Sequence, residues 1–240
     1  MIYKENPKTS GSGIICSIPQ TGTCPNKCED CFFQSGRSYL EPLKDNLPNL
    51  PLPNDMQVVR INDGNDSNVN KEKAIEEWKR HKMAFFNTAI PNLDFPGPVV
   101  LTINPGEMTD ERFHLVPNPP KNLMFVRFRA NMWNVELQEQ CVEYYSSREV
   151  PIVLTFMAYF NAADTVSYVQ RMNYILRKRT LNSYYAITTD AWRYLMSLHR
   201  KNKWVYSCGK IEGELGDTHC RFCGNCLREY FATITRMKEA

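Results

Sequence analysis

Gly13-Ile14-Ile15-Cys16-Ser17-Ile18 and, a few residues on, Cys24-Pro25-Asn26-Lys27-Cys28-Glu29-Asp30-Cys31 decide how the chain is read. The first run is short, apolar and β-branched, the pattern of a buried strand. Thr21, Gly22, Pro25 and Asn26 then mark a loop. On that loop three thiols follow at C-x3-C-x2-C spacing. Such a loop can hold three irons of a cubic iron–sulfur cluster, a group that normally takes four Cys thiolates, so its fourth iron is left open. An open metal position can bind a small molecule. The alternatives are a zinc knuckle or three unrelated buried thiols. Zinc suits the spacing poorly, because a structural zinc site wants four closed ligands.

Outward from this loop the chain alternates short strands with helical stretches. Gln57-Val58-Val59-Arg60-Ile61, Pro98-Val99-Val100-Leu101-Thr102-Ile103, Leu123-Met124-Phe125-Val126-Arg127-Phe128-Arg129 and Pro151-Ile152-Val153-Leu154-Thr155-Phe156-Met157 read as strands, and 183–188 as a weaker sixth. Helices are expected over 71–83, capped by Asn70, over 135–147, over 164–179 with Asp164 as cap, and over 190–201 with Asp190 as cap. His199 falls on the apolar stripe of the last of these, as a packed core residue rather than a ligand. Pro42, Pro48, Pro51 and Pro53 leave room only for a short helix near 38–46. The alternation predicts an α/β architecture with parallel strands, in about six strand–helix units. Functional loops of such folds gather at the carboxyl ends of the strands. The cluster loop, Asn62–Asn68, Asn104–Glu107 and Arg129–Asn131 all follow strands.

A second thiol group lies near the other end. Cys208-Gly209 is followed by Cys220, Cys223 and Cys226 at C-x2-C-x2-C spacing, with His219 beside them. The spacing is ferredoxin-like, and four thiols would close the site around a second 4Fe–4S cluster or a zinc ion. Metal would help to fold the short 204–228 stretch, and a last helix is expected over 227–238. Nine Cys, seven of them in these two groups, argue for metal rather than a secreted disulfide framework. Cys16 and Cys141 read as small buried hydrophobes.

The three-thiol stretch resembles the cluster loop of the radical S-adenosylmethionine (radical SAM) enzymes, whose pattern is C-x3-C-x-Φ-C with Φ generally aromatic. Asp30 occupies the Φ position here, and Phe32 and Phe33 follow. The resemblance implies a partial (βα)6 TIM-like barrel over 1–203, with 204–240 as a Cys-rich auxiliary segment. It implies a catalytic 4Fe–4S cluster on Cys24, Cys28 and Cys31, with S-adenosylmethionine chelated at the open iron and cleaved reductively to a 5′-deoxyadenosyl radical that takes hydrogen from a substrate. It further implies an electron donor such as flavodoxin or ferredoxin. The loop Asn62-Asp63-Gly64-Asn65-Asp66 stands where the family carries a Gly-Gly-Glu-like motif for the SAM amino group; Asp63 or Asp66 would serve, though a turn leading to a helix cap explains the same residues. By the same likeness Phe33 is a candidate for the adenine, and Asn104, Arg129 and Asn131 for the carboxylate or ribose. Arg127 reads as structural. Small phage- and plasmid-borne radical SAM-like proteins are similar in layout.

Composition allows a sizeable core: 42% of residues are hydrophobic and 23% charged. No apolar run approaches the ~18 residues that cross a bilayer, and the first residues carry no apolar signal core, so no membrane partner and a cytoplasmic location are the expectation. The net charge of +3 is split: residues 1–120 carry 12 Lys+Arg against 15 Asp+Glu, and residues 121–240 carry 17 against 11. The excess centres on Arg171, Arg177, Lys178, Arg179, Arg193, Arg200, Lys201 and Lys203, either a solvated helix face or a site for an anionic partner. Peptide, nucleotide and nucleic-acid substrates all stay open. The rival reading is a non-enzymatic zinc or iron–sulfur module that binds nucleic acid through the basic 171–203 region, with Tyr168, Tyr174, Tyr184, Tyr185 and Trp204 for stacking.

Overall fold

The strands are β1 (Ile14–Ser17), β2 (Val58–Ile61), β3 (Ala84–Thr88), β4 (Val99–Ile103), β5 (Leu123–Ala130), β6 (Ile152–Phe156), β7 (Ala158–Phe160), β8 (Tyr174–Arg177), β9 (Tyr184–Ile187) and β10 (Val205–Ser207). The helices are α1 (Leu43–Asn46), α2 (Lys71–Lys79), α3 (Val135–Ser146), α4 (Thr189–Ser197), α5 (Cys220–Cys223) and α6 (Asn225–Lys238), with a 3-10 helix at Tyr168–Asn173. These come from a computed structural model that describes residues 2–22, 24–26, 28, 31, 33, 38–53, 55–104, 116–156, 158–160, 166–178, 183–208 and 220–239. Asp30, Phe32, Glu107, Asp164, Arg179 and His219 lie outside the described residues.

Seven strands form one all-parallel sheet in the order β1-β2-β3-β4-β5-β6-β10. A doubly wound sheet reverses its order at a switch point. This one never does, and it curls into a half-barrel. Parallel strands buried on both faces need apolar residues at every position, and β1 and β2 are buried throughout.

The two faces are filled differently. On the convex face Val59, Ile61, Phe86, Val99, Leu101, Val126, Phe128, Ile152 and Leu154 pack against Ala74 and Trp78 of α2 and against Cys141, Val142 and Tyr145 of α3. On the concave face a lower layer of Ile14, Val58, Phe85, Val100, Phe125 and Val153 packs against Cys226 and Tyr230 of α6. Arg236, late in α6, donates to the carbonyls of Lys121 and Leu123, at the amino end of β5. Helix α6 is therefore a plug in the lower half of the barrel, with its amino end aimed at mid-sheet.

Above the lower layer the concave face turns polar. Register pairs Cys16 with Arg60, Asn87 with Val100, Thr102 with Arg127, and Arg129 with Thr155. Two-residue alternation keeps these residues on the plug's side of the sheet.

Several expectations are corrected. Ala84–Thr88 is a strand not expected from the sequence; it has no Val or Ile and follows closely on α2. The strand at 184–187 does not join the barrel. It is the middle of a separate antiparallel sheet, β7-β9-β8. The helix expected over 164–179 is, in its described part, the short 3-10 helix and then β8. Tyr174 and Ile175 favour a pleated, half-buried strand over a helix. The seventh barrel strand is β10, paired with β6, so the boundary drawn at 203/204 falls just ahead of a sheet strand. Asn70 does cap α2, accepting from the Lys73 N–H at 3.2 Å. Thr188 rather than Asp190 caps α4, accepting from the Ala191 N–H. His199 is buried, with Gln138 2.8 Å away.

Candidate metal and ligand sites

The three-thiol loop leaves β1 at the carboxyl end of the sheet. Ile18 pairs with Asn49, which ties the loop's root to the Pro-rich segment. The Cys31 N–H donates to the Cys28 carbonyl at 3.1 Å, a tight turn that draws two of the thiol-bearing residues together. Asn104, directly after β4, donates its amide to Cys28 Sγ at 3.6 Å. Burial pushes the Cys24 thiol up, and the charges of Asp66 and Cys31 push the same way, so Cys24 and Cys31 lie within electrostatic reach of each other. All three thiols are half-buried.

The loop after β2 lies alongside. Phe33 is buried among Ile18, Leu40, Leu43 and Leu47, and its ring covers Gly64, where a Cβ would stand 2.0 Å from Cε2. Only glycine admits the ring there. Phe33 thus fastens the thiol loop to the β2 loop. Asn62, at φ 61°, takes the left-handed conformation that Asn tolerates, and donates to Ser67 Oγ at 3.1 Å. Asp63 is held by the Arg60 guanidinium and by the Asn6 amide. Asp66 accepts from Asn68 N at 2.9 Å, Thr88 Oγ1 at 2.8 Å and Ala89 N at 2.6 Å. Both carboxylates are engaged in holding the chain. Asn131 donates to the Tyr159 hydroxyl and accepts from the Trp133 N–H, and so is also engaged. Arg129 lies on the concave face near the end of β5, half-buried.

Of ten unpartnered buried polar atoms among the described residues, four lie on residues toward this end of the sheet. Among the described residues, Gln20 Oε1, Asn62 Oδ1, Asn104 Oδ1 and Thr155 Oγ1 are buried without a hydrogen-bond partner. They belong to the carboxyl ends of β1, β2, β4 and β6. Leaving such groups unpaired costs about 1–3 kcal/mol each, and three of the four are pure acceptors.

The second thiol group sits below, where the plug meets the sheet. Cys208 follows β10, its N–H donating to the Leu154 carbonyl at 2.9 Å. Asn225 of α6 donates to the Ser207 carbonyl at 2.8 Å. On the other side Cys220 N–H donates to the Lys8 carbonyl, and Leu227 packs 3.2 Å from a Cβ position on Gly13, just before β1. The α5–α6 corner therefore spans the opening between the two edges of the half-barrel. A hydrogen bond with Cys223 and burial push the Cys208 thiol far up, with Cys226 and Cys220 adding to it. Burial raises Cys226 and Cys220 as well; Arg127 and Arg60 oppose this at Cys226, and Arg60 at Cys220. Cys208 is thus hydrogen-bonded with Cys223, and Cys220, Cys226, Arg60 and Arg127 lie within electrostatic reach of this corner.

Arg60, Arg127 and Gln20 were not singled out as neighbours of the thiols from the sequence. The usable signal was parity: Arg60 and Arg127 alternate with convex-face Val59, Ile61, Val126 and Phe128. Arg127 donates to Asn87 Oδ1 at 3.3 Å. Arg60 donates to Cys16 Sγ at 3.3 Å. Cys16 is fully buried as expected, yet it is a hydrogen-bonded member of this polar layer; burial pushes its thiol up to about 12 against the opposing pull of Arg60.

Among the described residues, no three His, Cys, Asp or Glu side chains stand closed around a point that a metal ion could occupy. The fold presents thiol pairs, Cys24 with Cys31 and Cys208 with Cys223, and their near neighbours. Also among the described residues, no helix is long and apolar enough to cross a membrane. Comparison of the chain with protein-family models, with curated proteins and with solved structures gave no match.

Proposed function

We propose that the chain is a radical SAM enzyme, with its catalytic 4Fe–4S cluster on Cys24, Cys28 and Cys31 and S-adenosylmethionine at the open iron. The observation that carries this is the set of unpartnered acceptors beside a three-thiol loop at the carboxyl mouth of a parallel half-barrel. The donor set fits on chemical grounds: thiolates are the ligands that iron–sulfur clusters take, and three of them leave one corner free. When bound, the pair supplies one-electron cleavage of the sulfonium to a 5′-deoxyadenosyl radical.

The chain's own residues do the rest. Asn104 donates to Cys28 Sγ, and hydrogen bonds to cluster sulfur are one of the levers that set reduction potential. Gln20 Oε1, Asn62 Oδ1 and Asn104 Oδ1 accept from the amino group and ribose hydroxyls of the ligand. Arg129 offers a guanidinium for its carboxylate. Phe33 and Gly64 hold the loop against β2, and Asp63 and Asp66 brace that loop from behind. The second thiol group takes a metal or a second cluster and pins the plug between the sheet edges, so the polar chamber has a floor and water is kept from the reacting centre.

The test is anaerobic reconstitution of the full chain, with iron, sulfide and zinc counted, followed by incubation with S-adenosylmethionine and dithionite. 5′-Deoxyadenosine is expected from a protein carrying about eight irons, at ~4 per cubane. A fully iron-loaded sample that makes none overturns the reading.

A further inference from the structure

The two guanidiniums near the plug's thiols are not equivalent. Arg60 is buried, ion-paired with Asp63, and donates to Cys16 Sγ. Its charge is answered within the protein. Arg127 forms no ion pair among the described residues. It donates to the amide oxygen Asn87 Oδ1 at 3.3 Å, and its Cζ lies 5.7 Å from the centre of the Phe125 ring. Neither partner carries a negative charge. A half-buried cation in the middle of β5, on the inner face of the half-barrel, calls for an anion.

The surroundings of Cys226 supply the place for one. Of the charged groups that act on this thiol, Arg127 acts most strongly, ahead of Arg60. Cys226 packs with Phe85, Val100, Phe125 and Val153, and Cys208 lies against the same apolar layer. Charge placed against that layer is poorly screened, so one cation counts for more than it would at the surface. A neutral thiol does nothing for Arg127. Thiolates do, and metal binding makes them. A divalent ion on four thiolates carries a charge of about −2, and so does an oxidised cubane on four. The other anion within reason is a ligand carboxylate at the mouth. Arg129, on the same face and two residues nearer the carboxyl end of β5, is better placed for that.

We infer that Arg127 is the counter-ion of a metal–thiolate complex at the second thiol group, holding it by charge rather than by ligation. This rests on the reading that Cys208, Cys220, Cys223 and Cys226 take metal. It does not depend on which metal, nor on the chemistry at the mouth.

The test is chelator competition on the full chain, reconstituted anaerobically in the Cys28→Ala background so that the second group is the metal site that remains. Retained metal is measured against rising EDTA. Arg127→Met keeps the length and removes the charge; it should lower the EDTA concentration for half release by about tenfold or more. Arg127→Lys puts the charge back and should return to within about threefold of the parent. A mutant cycle on thermal midpoints separates charge from packing. Arg127→Met should lower the midpoint of the parent and add nothing in the Cys208→Ser background, where the metal is lost. Equal losses in both backgrounds, a Lys variant as weak as the Met variant, or metal retention indifferent to Arg127 overturns the proposal alone. So does weakened S-adenosylmethionine binding by Arg127→Met, with Cys28 intact and metal retention unchanged, since that puts the anion at the mouth. A second group that takes no metal in the Cys28→Ala parent overturns both this proposal and the reading beneath it.

Discussion

The two thiol groups differ in nearly every physical respect. The group at the mouth has three thiols on a loop, half-buried, with an amide donor on Cys28 and unpartnered acceptors beside it. The group on the plug has four thiols from two chain segments, and Arg60 and Arg127 lower the cost of charging the one on α6. On the proposed reading, three thiols beside unsatisfied acceptors would make a place for a guest, and four thiols joining an edge strand to a helix would make a fastening. The contrast teaches that thiol number and the polar company around each group separate chemistry from structure better than spacing alone.

The comparison breaks most sharply on Cys28→Ala. The variant should lose 5′-deoxyadenosine formation to background and about four irons of the expected eight, while its thermal midpoint stays near the parent's. Cys208→Ser should do the reverse in kind. Metal at the second group falls, and the midpoint drops by roughly 6–12 °C if about 3 kcal/mol of metal-coupled folding is lost, at ~2–4 °C per kcal/mol for a chain of this size. Differential scanning calorimetry with metal analysis checks both. A Cys208→Ser protein that melts like the parent would end the fastening reading.

A smaller effect is expected at Asn104→Ala. Removing one donor to a thiolate and one acceptor to the ligand should weaken S-adenosylmethionine binding about tenfold, for a loss of ~1.4 kcal/mol, and shift the cluster's potential, read by redox titration of its visible absorbance. Phe33→Leu opens space over Gly64 and is expected to lower cluster retention without removing a ligand.

The smallest effect lies away from both groups. Burial pushes the Glu77 carboxyl up, but hydrogen bonds from His81, Ser17 and Arg80 outweigh it and hold it below the usual carboxylate range. A depressed folded-state value means that its stabilisation is present above the unfolded value, near 4.3, and is lost as pH falls through the folded one. Glu77→Gln should cost about 1–2 kcal/mol at neutral pH and flatten the acid limb of the stability curve. An unchanged acid limb in urea titrations would refute the assignment.

Much of this was legible from residues, and the failures have causes. The thiol loop, the parallel strands and the Asn70 cap follow from local pattern: runs of β-branched residues, Gly and Pro punctuation, and a side-chain oxygen three residues before a helical N–H. Ala84–Thr88 has no Val or Ile and runs straight on from the helical pattern over 71–83, and Val205–Ser207 is too short to show a period, so only pairing with neighbours defines them. Tyr184–Ile187 reads as a strand but says nothing of which sheet it joins. Asp63 and Asp66 carry the residue type expected at a cation site, yet Asp63 is held by Asn6 of the amino-terminal segment as well as by Arg60 of β2, and Asp66 by Thr88 of β3. Asn6 is 57 residues from Asp63 along the chain, a distance that sequence pattern does not bridge. Gln20 and Thr155 look like ordinary polar residues until burial leaves one oxygen of each alone.

Neighbour-by-neighbour strand order has a kinetic consequence. Each unit can add to the one just made, so the curved wall grows through short-range contacts, which form fast. The plug is the exception: Arg236 reaches Leu123 across 113 positions. Its docking must close a long loop and so comes last. The half-open wall before that docking is the state in which α6 is exposed, and amides of α6 should exchange with solvent through that opening well before those of β4 and β5.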